Sequence, residues 1–184
     1  MRIIIGLGNP GKEYAGNRHN VGFNVLDRLL GPVKWENSKR FNCEIYRQGD
    51  CLYAKPLSFM NKSGEPVRKI LAYYQLLPKT LGLFKKTDAD LSETLLVIHD
   101  DIDQALGKYR WANDSGSGGH NGVKSIINHL KTQKFRRLKI GVANEKLRQQ
   151  IPAKRFVLTN FSDSEKNILN ETIDRALKEL KNNQ

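Results

Sequence analysis

Arg2 to Gly11 reads RIIIGLGNPG. Three consecutive isoleucines bounded by glycine form a short, continuous apolar run, the pattern of a buried strand. Gly6, Gly8 and Gly11 follow it directly, at the spacing of a dinucleotide-binding turn. That fingerprint needs a helix that begins within the turn and aims free N–H groups at pyrophosphate, and an acid about 20 residues on at a strand end. Neither is present. Pro10 removes a donor, Gly16 and the run NRHN (Asn17–Asn20) keep the chain irregular until about Val21, and Asp27 falls inside the helical NVLDRLL. The glycines are instead expected to allow a sharp turn that presents Asn9 at the carboxyl end of a central strand.

Outward from this strand, strand and helix patterns alternate without a long linker, a repeat or a low-complexity tract. NVGFNVLDRLL (Asn20–Leu30) reads as a short helix, and NCEIYRQGDCLYAKP (Asn42–Pro56) as a hairpin turning at Gly49–Asp50, with Gln48 opposite Cys51. Val67, Ile70, Leu71 and Tyr74 share one helical face, with Pro66 tolerated in the first turn. LLVIHDDID (Leu95–Asp103) is a second apolar strand, Val123, Ile126, Ile127 and Leu130 repeat the helical spacing, and RRLKIGVA (Arg136–Ala143) is another strand. SDSE (Ser162–Glu165) is a capping box that opens a last helix through Leu169, Ile173, Ala176, Leu177 and Leu180. Residues 77–93 show no clear period and read as a surface insertion. The whole chain, 1–184, is expected to be one α/β domain.

At this length a globule buries roughly 70% of the surface its unfolded chain exposes, so it needs no staples. Cys43 and Cys51 sit too far apart on the hairpin ladder to bridge, and both are expected reduced and buried. The first residues, MRIIIGLG, have one basic residue and too short an apolar run for a signal peptide, and no stretch approaches a bilayer span. The expectation is a cytoplasmic protein with no membrane, and no exposed apolar repeat argues for assembly. The 31 Lys and Arg against 19 Asp and Glu give a net charge of +12, grouped at KYR (Lys108–Arg110), KTQKFRRLK (Lys131–Lys139) and AKR (Ala153–Arg155). Grouped cations gain binding free energy by releasing the counterions of a phosphate backbone, which makes a nucleic acid the expected partner.

Ligands of open α/β sheets collect outside the carboxyl ends of parallel strands. If LLVIHDDID runs beside the first strand, His99, Asp100 and Asp101 reach that edge next to Asn9. GNRHN brings His19 over the same rim, and GSGGHNG brings His120 and Asn121 at the start of a helix. A histidine beside a carboxylate is a general base with a holder, able to take a proton from water. No serine or cysteine nucleophile stands in a recognisable motif. His129 and His99 are expected to be buried structural residues, the His99 side chain pointing opposite to that of Asp100.

Four segments in order, GLGNPGKEYAGNRHNVGF, PLSFMNKSGEPV, VIHDDID and GSGGHNGVKSI, resemble bacterial peptidyl-tRNA hydrolase over much of the chain. The resemblance implies a single α/β domain with a twisted mixed, largely parallel sheet flanked by helices. It implies hydrolysis of the ester joining a peptide to the 3′-terminal ribose of tRNA, without metal or other cofactor and without an obligate protein partner. By the same resemblance His19 is the catalytic base and Asp100 its orienting carboxylate. Asn9 and Asn61 hold the peptide and the tRNA end, Asn121 binds and positions water beside a less critical His120, and Tyr14 and Met60 line the cleft. Arg110, Arg137 and Lys139 fall where the family contacts tRNA phosphates.

The chain departs from the family pattern at Asn17, where threonine is usual, in the longer 77–93 segment, in WANDSGS (Trp111–Ser117), which replaces a more glycine-rich stretch, and in a short tail after Ser162. Two other readings stand beside the hydrolase. One is a non-catalytic RNA-binding protein on the same fold. The other is a metallohydrolase using His19, His99, Asp100, Asp103 or His120, although this spacing matches no standard ligand motif.

Overall fold

In the computed structural model, which describes residues 1–77, 88–144 and 149–182, Ile3, Ile4 and Ile5 lie in β1 (Arg2–Gly6) at the centre of a seven-stranded sheet. The other strands are β2 (Glu36–Ser38), β3 (Cys43–Gln48), β4 (Cys51–Pro56), β5 (Leu95–Ala105), β6 (Tyr109–Ala112) and β7 (Arg136–Ala143). Their order is β2-β3-β4-β1-β5-β7-β6. The four central strands are parallel, while β2–β3, β3–β4 and β6–β7 pair antiparallel. The sheet is thus mixed, parallel at its centre and antiparallel at both edges.

Strand alternation divides the core into two layers. Ile3 and Ile5 share one face with Leu95 and Val97, covered by α2 (Gly64–Tyr73) and α3 (Asn121–Leu130). Ile4 shares the other with Leu96, Ile98, Leu138, Ile140 and Val142, covered by α1 (Val21–Leu30) and α4 (Asp163–Asn182). Burying one such aliphatic side chain contributes about 2 kcal/mol. The capping box is formed in both directions: Ser162 N–H donates to Glu165 Oε2 at 2.8 Å and Glu165 N–H to Ser162 Oγ at 3.3 Å.

The glycines of the opening segment serve close packing more than turning. A Cβ on Gly6 would stand 2.4 Å from the Gly22 carbonyl oxygen, and one on Gly22 would stand 2.3 Å from the Leu7 nitrogen, so α1 lies directly on the end of β1. Gly8 makes room for the Phe23 ring, and Gly11 alone of the three takes a positive φ, 113°. The expected turn therefore rests on one glycine, and the other two admit a helix.

Three local expectations are corrected. Part of the 77–93 segment is not surface: Ala89 and Leu91 are buried, and Leu91 N–H donates to the Lys134 carbonyl at 2.7 Å, which stitches this stretch to the α3–β7 connection. Residues 78–87 of that segment lie outside the described residues. The Gly49–Asp50 turn pairs Gln48 with Cys51 as expected, and both cysteines are free, but Cys51 is only half-buried. Burial pushes the Cys43 thiol up to about 12, which leaves it inert. His129 is exposed, with Nδ1–H donating to the Ser125 carbonyl at 2.8 Å.

Candidate active site

β1 and β5 run side by side, with Gly6 level with Ile98, so the chain leaves both at one edge. After β1, a 3-10 turn at Arg18–Asn20 carries His19 just ahead of α1. Backbone bonds fix that turn: Arg18 N–H donates to Thr159 O and His19 N–H to Val157 O. Arg18 is 1% exposed. Its Nη2 lies 2.8 Å from both oxygens of Glu165, its Nη1 donates to Val142 O, and its guanidinium stacks within 4.7 Å of the Phe156 and Phe161 ring centres.

Asp100 lies on the same side of β5 as Leu96 and Ile98, the side from which His19 approaches. His19 Nδ1 is 2.8 Å from Asp100 Oδ1, and both groups are buried. A carboxylate accepts only, so Nδ1 carries the hydrogen and Nε2 of the neutral ring keeps its lone pair. Burial by itself lowers the His19 pKa, but the Asp100 charge and hydrogen bond outweigh it and raise the group above its ordinary value. Burial likewise raises the Asp100 carboxyl, yet His19 and His120 together hold it well below the usual carboxylate range.

His120 approaches the same oxygen, with Nε2 2.8 Å from Asp100 Oδ1. The buried His99 donates Nδ1–H to the Asp100 carbonyl at 2.7 Å, and desolvation pushes it down to about 3, so it is neutral. These groups line a cavity of about 290 Å³, closed by Gly118, Gly119 and Asn121 on one side and by Ala153, Lys154 and Val157 on the other.

Asn9 lines a different, smaller concavity together with Asn20 and Phe23. Its Oδ1 accepts the Met60 N–H at 2.8 Å, which leaves Nδ2 as the donor it offers a ligand. Asn20, absent from the sequence reading, holds Asn9 at both backbone groups: Asn9 N–H donates to Asn20 Oδ1, and Asn20 Nδ2 donates to Asn9 O, each at 2.9 Å. Met60 is buried, with Sδ so near Gly122 that a Cβ there would come within 2.5 Å. Asn61 is exposed, and the Tyr14 ring meets Phe59 edge-on at 6.3 Å.

The three expected phosphate-binding cations differ in kind. Arg110 is exposed and stands opposite Lys139 across β6–β7, and both lean on Asp101 Oδ2, at 3.3 Å and 3.6 Å. Lys139 is largely buried, and desolvation pulls its pKa below the ordinary value against the pull of Asp101. Arg137 requires a correction: it is 0% exposed, and its guanidinium donates to the carbonyls of Ser115 and Gly116. With Leu138, Ile140 and Val142 on one face of β7, alternation turns Arg137 to the other, beneath residues 115–116. It braces that loop and offers no surface charge.

An imidazole held by a buried carboxylate at the carboxyl edge of a mixed α/β sheet is the equipment of a hydrolase. Comparison with known proteins agrees: residues 3–183 match the family model described as peptidyl-tRNA hydrolase. A peptidyl-tRNA hydrolase of Mycoplasma capricolum is 42% identical over 179 residues, covering 95% of this chain and 88% of the relative. One of Latilactobacillus sakei is 40% identical, with 97% and 94% covered. The crystal structure of peptidyl-tRNA hydrolase from Acinetobacter baumannii superposes with a TM-score of 0.81 at 31% identity, covering 98% of this chain and 87% of that one. The chain belongs to the peptidyl-tRNA hydrolase family.

Proposed function

We propose that this hydrolase releases peptide from tRNA by direct attack of water, with His19 as the base and Asp100 as its holder. The observation that carries the mechanism is the 2.8 Å bond between His19 Nδ1 and Asp100 Oδ1 in the wall of a cavity. Nε2 of neutral His19 takes a proton from water as its oxygen attacks the ester carbonyl. The C–O bond to the ribose then breaks, and the departing ribose oxygen recovers the proton from the imidazolium. The ester is already activated, so a positioned water and a base suffice. The Asn121 amide, in the wall of the same cavity, is the donor for the developing oxyanion or the water, a type of contact worth roughly 3 kcal/mol in other hydrolases, and Asn9 Nδ2 in the second concavity is a donor to the substrate end. Asn61, Tyr14 and Met60 hold the substrate end.

The chemistry of the donor set supports a reading without metal. His19, Asp100 and His120 do cluster at ligand spacing. Both ring nitrogens that face Asp100 carry hydrogens, however, and a cation there would have to displace them. The exposed Arg110, with Lys139 behind it, is the phosphate-binding element, and tRNA meets the protein through its acceptor end and backbone. Among the described residues no helix is long and apolar enough to cross a membrane. Such a substrate places the protein in the cytoplasm. A non-catalytic RNA-binding role is not favoured, since it leaves the buried His19–Asp100 pair without a purpose. The deciding assay is deacylation of an N-blocked peptidyl-tRNA and of free aminoacyl-tRNA, with and without a chelator of zinc and manganese. Turnover of the blocked ester that survives chelation is expected; binding without turnover, or loss on chelation restored by metal, would overturn the proposal.

A further inference from the structure

We propose that His120 is a positioning residue of this hydrolysis: the start of α3 locks it as an Nε2–H donor, and in that form it holds the Asp100 oxygen that steers His19. The inference rests on the reading of His19 as the base. His120 is the N-cap of α3, with φ −71° and ψ 113°. Its Nδ1 accepts the backbone N–H groups of Gly122 and Val123 at 3.2 Å and 3.3 Å. A nitrogen that accepts two N–H groups at the positive end of a helix carries a lone pair, so the ring hydrogen sits on Nε2. That hydrogen points at Asp100 Oδ1, 2.8 Å away, the atom that also accepts from His19 at 2.8 Å. The ring has little freedom to leave, because the centroids of His19 and His99 lie 4.8 Å and 4.7 Å from its own, and His99 is itself bonded to the Asp100 carbonyl.

Two donors on one oxygen divide its charge. His120 therefore fixes the rotamer of the carboxylate and tempers its pull on the His19 proton. The charged groups around the pair are Asp100 from β5, Asp101 and Asp103 beyond it, Arg110 from the edge strand β6, Lys139 from the neighbouring β7, and Lys154 from the 153–157 wall. Of these only Asp100 bonds His19 directly. With the His120 donor removed, the whole charge of Oδ1 falls on His19, and the base becomes harder to deprotonate.

The substitution that separates this role from a structural one is His120→Asn. Asparagine is a good N-cap and keeps an acceptor for Gly122 and Val123, but its short amide does not span to Asp100. The expected result is a parent-like Tm, a kcat lowered by about tenfold with an unchanged KM, and an acid limb of kcat/KM moved to higher pH by about half a unit. A folded variant with an unmoved limb, or a raised KM at constant kcat, would overturn the proposal. Nitrogen-15 chemical shifts of the parent's imidazoles give a readout free of any variant: the neutral His120 ring should show a hydrogen on Nε2 and an acceptor-type Nδ1, and the opposite tautomer refutes the assignment. His19→Asn separates the two readings. If it still turns over, His19 is not the base; if it is dead while His120→Asn is unaltered, only the role of His120 falls.

Discussion

Arg18 Nη2 and the two oxygens of Glu165 lie 2.8 Å apart across 147 residues of sequence, joining the turn that carries His19 to the first turn of the last helix. Removing one partner of such a pair strands a buried charge, at a cost of about 3 kcal/mol. Glu165→Gln is expected to lower Tm by roughly 8 °C and kcat with it, because the arginine next to the base loses its anchor. Thermal unfolding and turnover on the same sample check this; a stable variant with intact turnover would show the pair to be incidental.

His19→Ala should reduce kcat by at least about a hundredfold while tRNA binding stays nearly intact. Equal loss of both would make the residue structural. Because Asp100 raises the His19 pKa and the neutral form is the active one, kcat/KM should climb with pH through a midpoint above 6.5. Stability runs the other way. The folded imidazole holds its proton more tightly than the unfolded one, so its contribution is complete below about pH 6.5 and disappears as pH rises through the folded value.

Acid should weaken the protein through His99. The unfolded ring takes a proton near pH 6.5 and the folded one only near 3, so between those values stability falls as pH falls, by up to about 1.4 kcal/mol per unit. Asp100 adds to the loss below about pH 4. Urea midpoints at pH 7 and pH 5 for the parent and for His99→Phe measure the effect. The variant should lose much less between the two, and an equal loss would assign the slope elsewhere.

Charge reversal separates the two arginines near the edge strands. Arg110→Glu should raise KM for peptidyl-tRNA and flatten the salt dependence of binding by about one unit of slope, leaving Tm unchanged. Arg137→Glu should unfold the loop at 115–116 and lower Tm, since a buried acid would face backbone carbonyls. A folded Arg137→Glu protein with only a weakened salt slope would return Arg137 to the surface.

The strands that carry long apolar runs, β1, β5 and β7, are legible because burial on both faces of a parallel sheet demands such runs. β2 and β6 escape notice because ENS and YRWA are short edge strands with exposed polar positions. His19 and Asp100 can be paired in advance, since the edge rule for parallel strands brings both to one rim. Arg137 misleads: the cluster of basic residues around it suggests a surface, and the alternation of Leu138, Ile140 and Val142 sends it to the opposite face of β7, but the loop at 115–116 that covers that face leaves no periodic signal. The bonds of Asn20 to Asn9 and of His120 to Asp100 carry no periodic signature, because they depend on the exact path of two loops.

The contact between Gly6 and Gly22 leaves no space for even a methyl group at either position, so residues 7–21 form a loop clamped shut at its base. Asn9 and His19 ride on that loop as one unit. Whatever the size of the peptide carried by the tRNA, it must be accommodated by the walls that are not part of this loop, above all residues 117–121, and variation in chain-length tolerance among relatives should trace to those walls rather than to the jaw that does the chemistry.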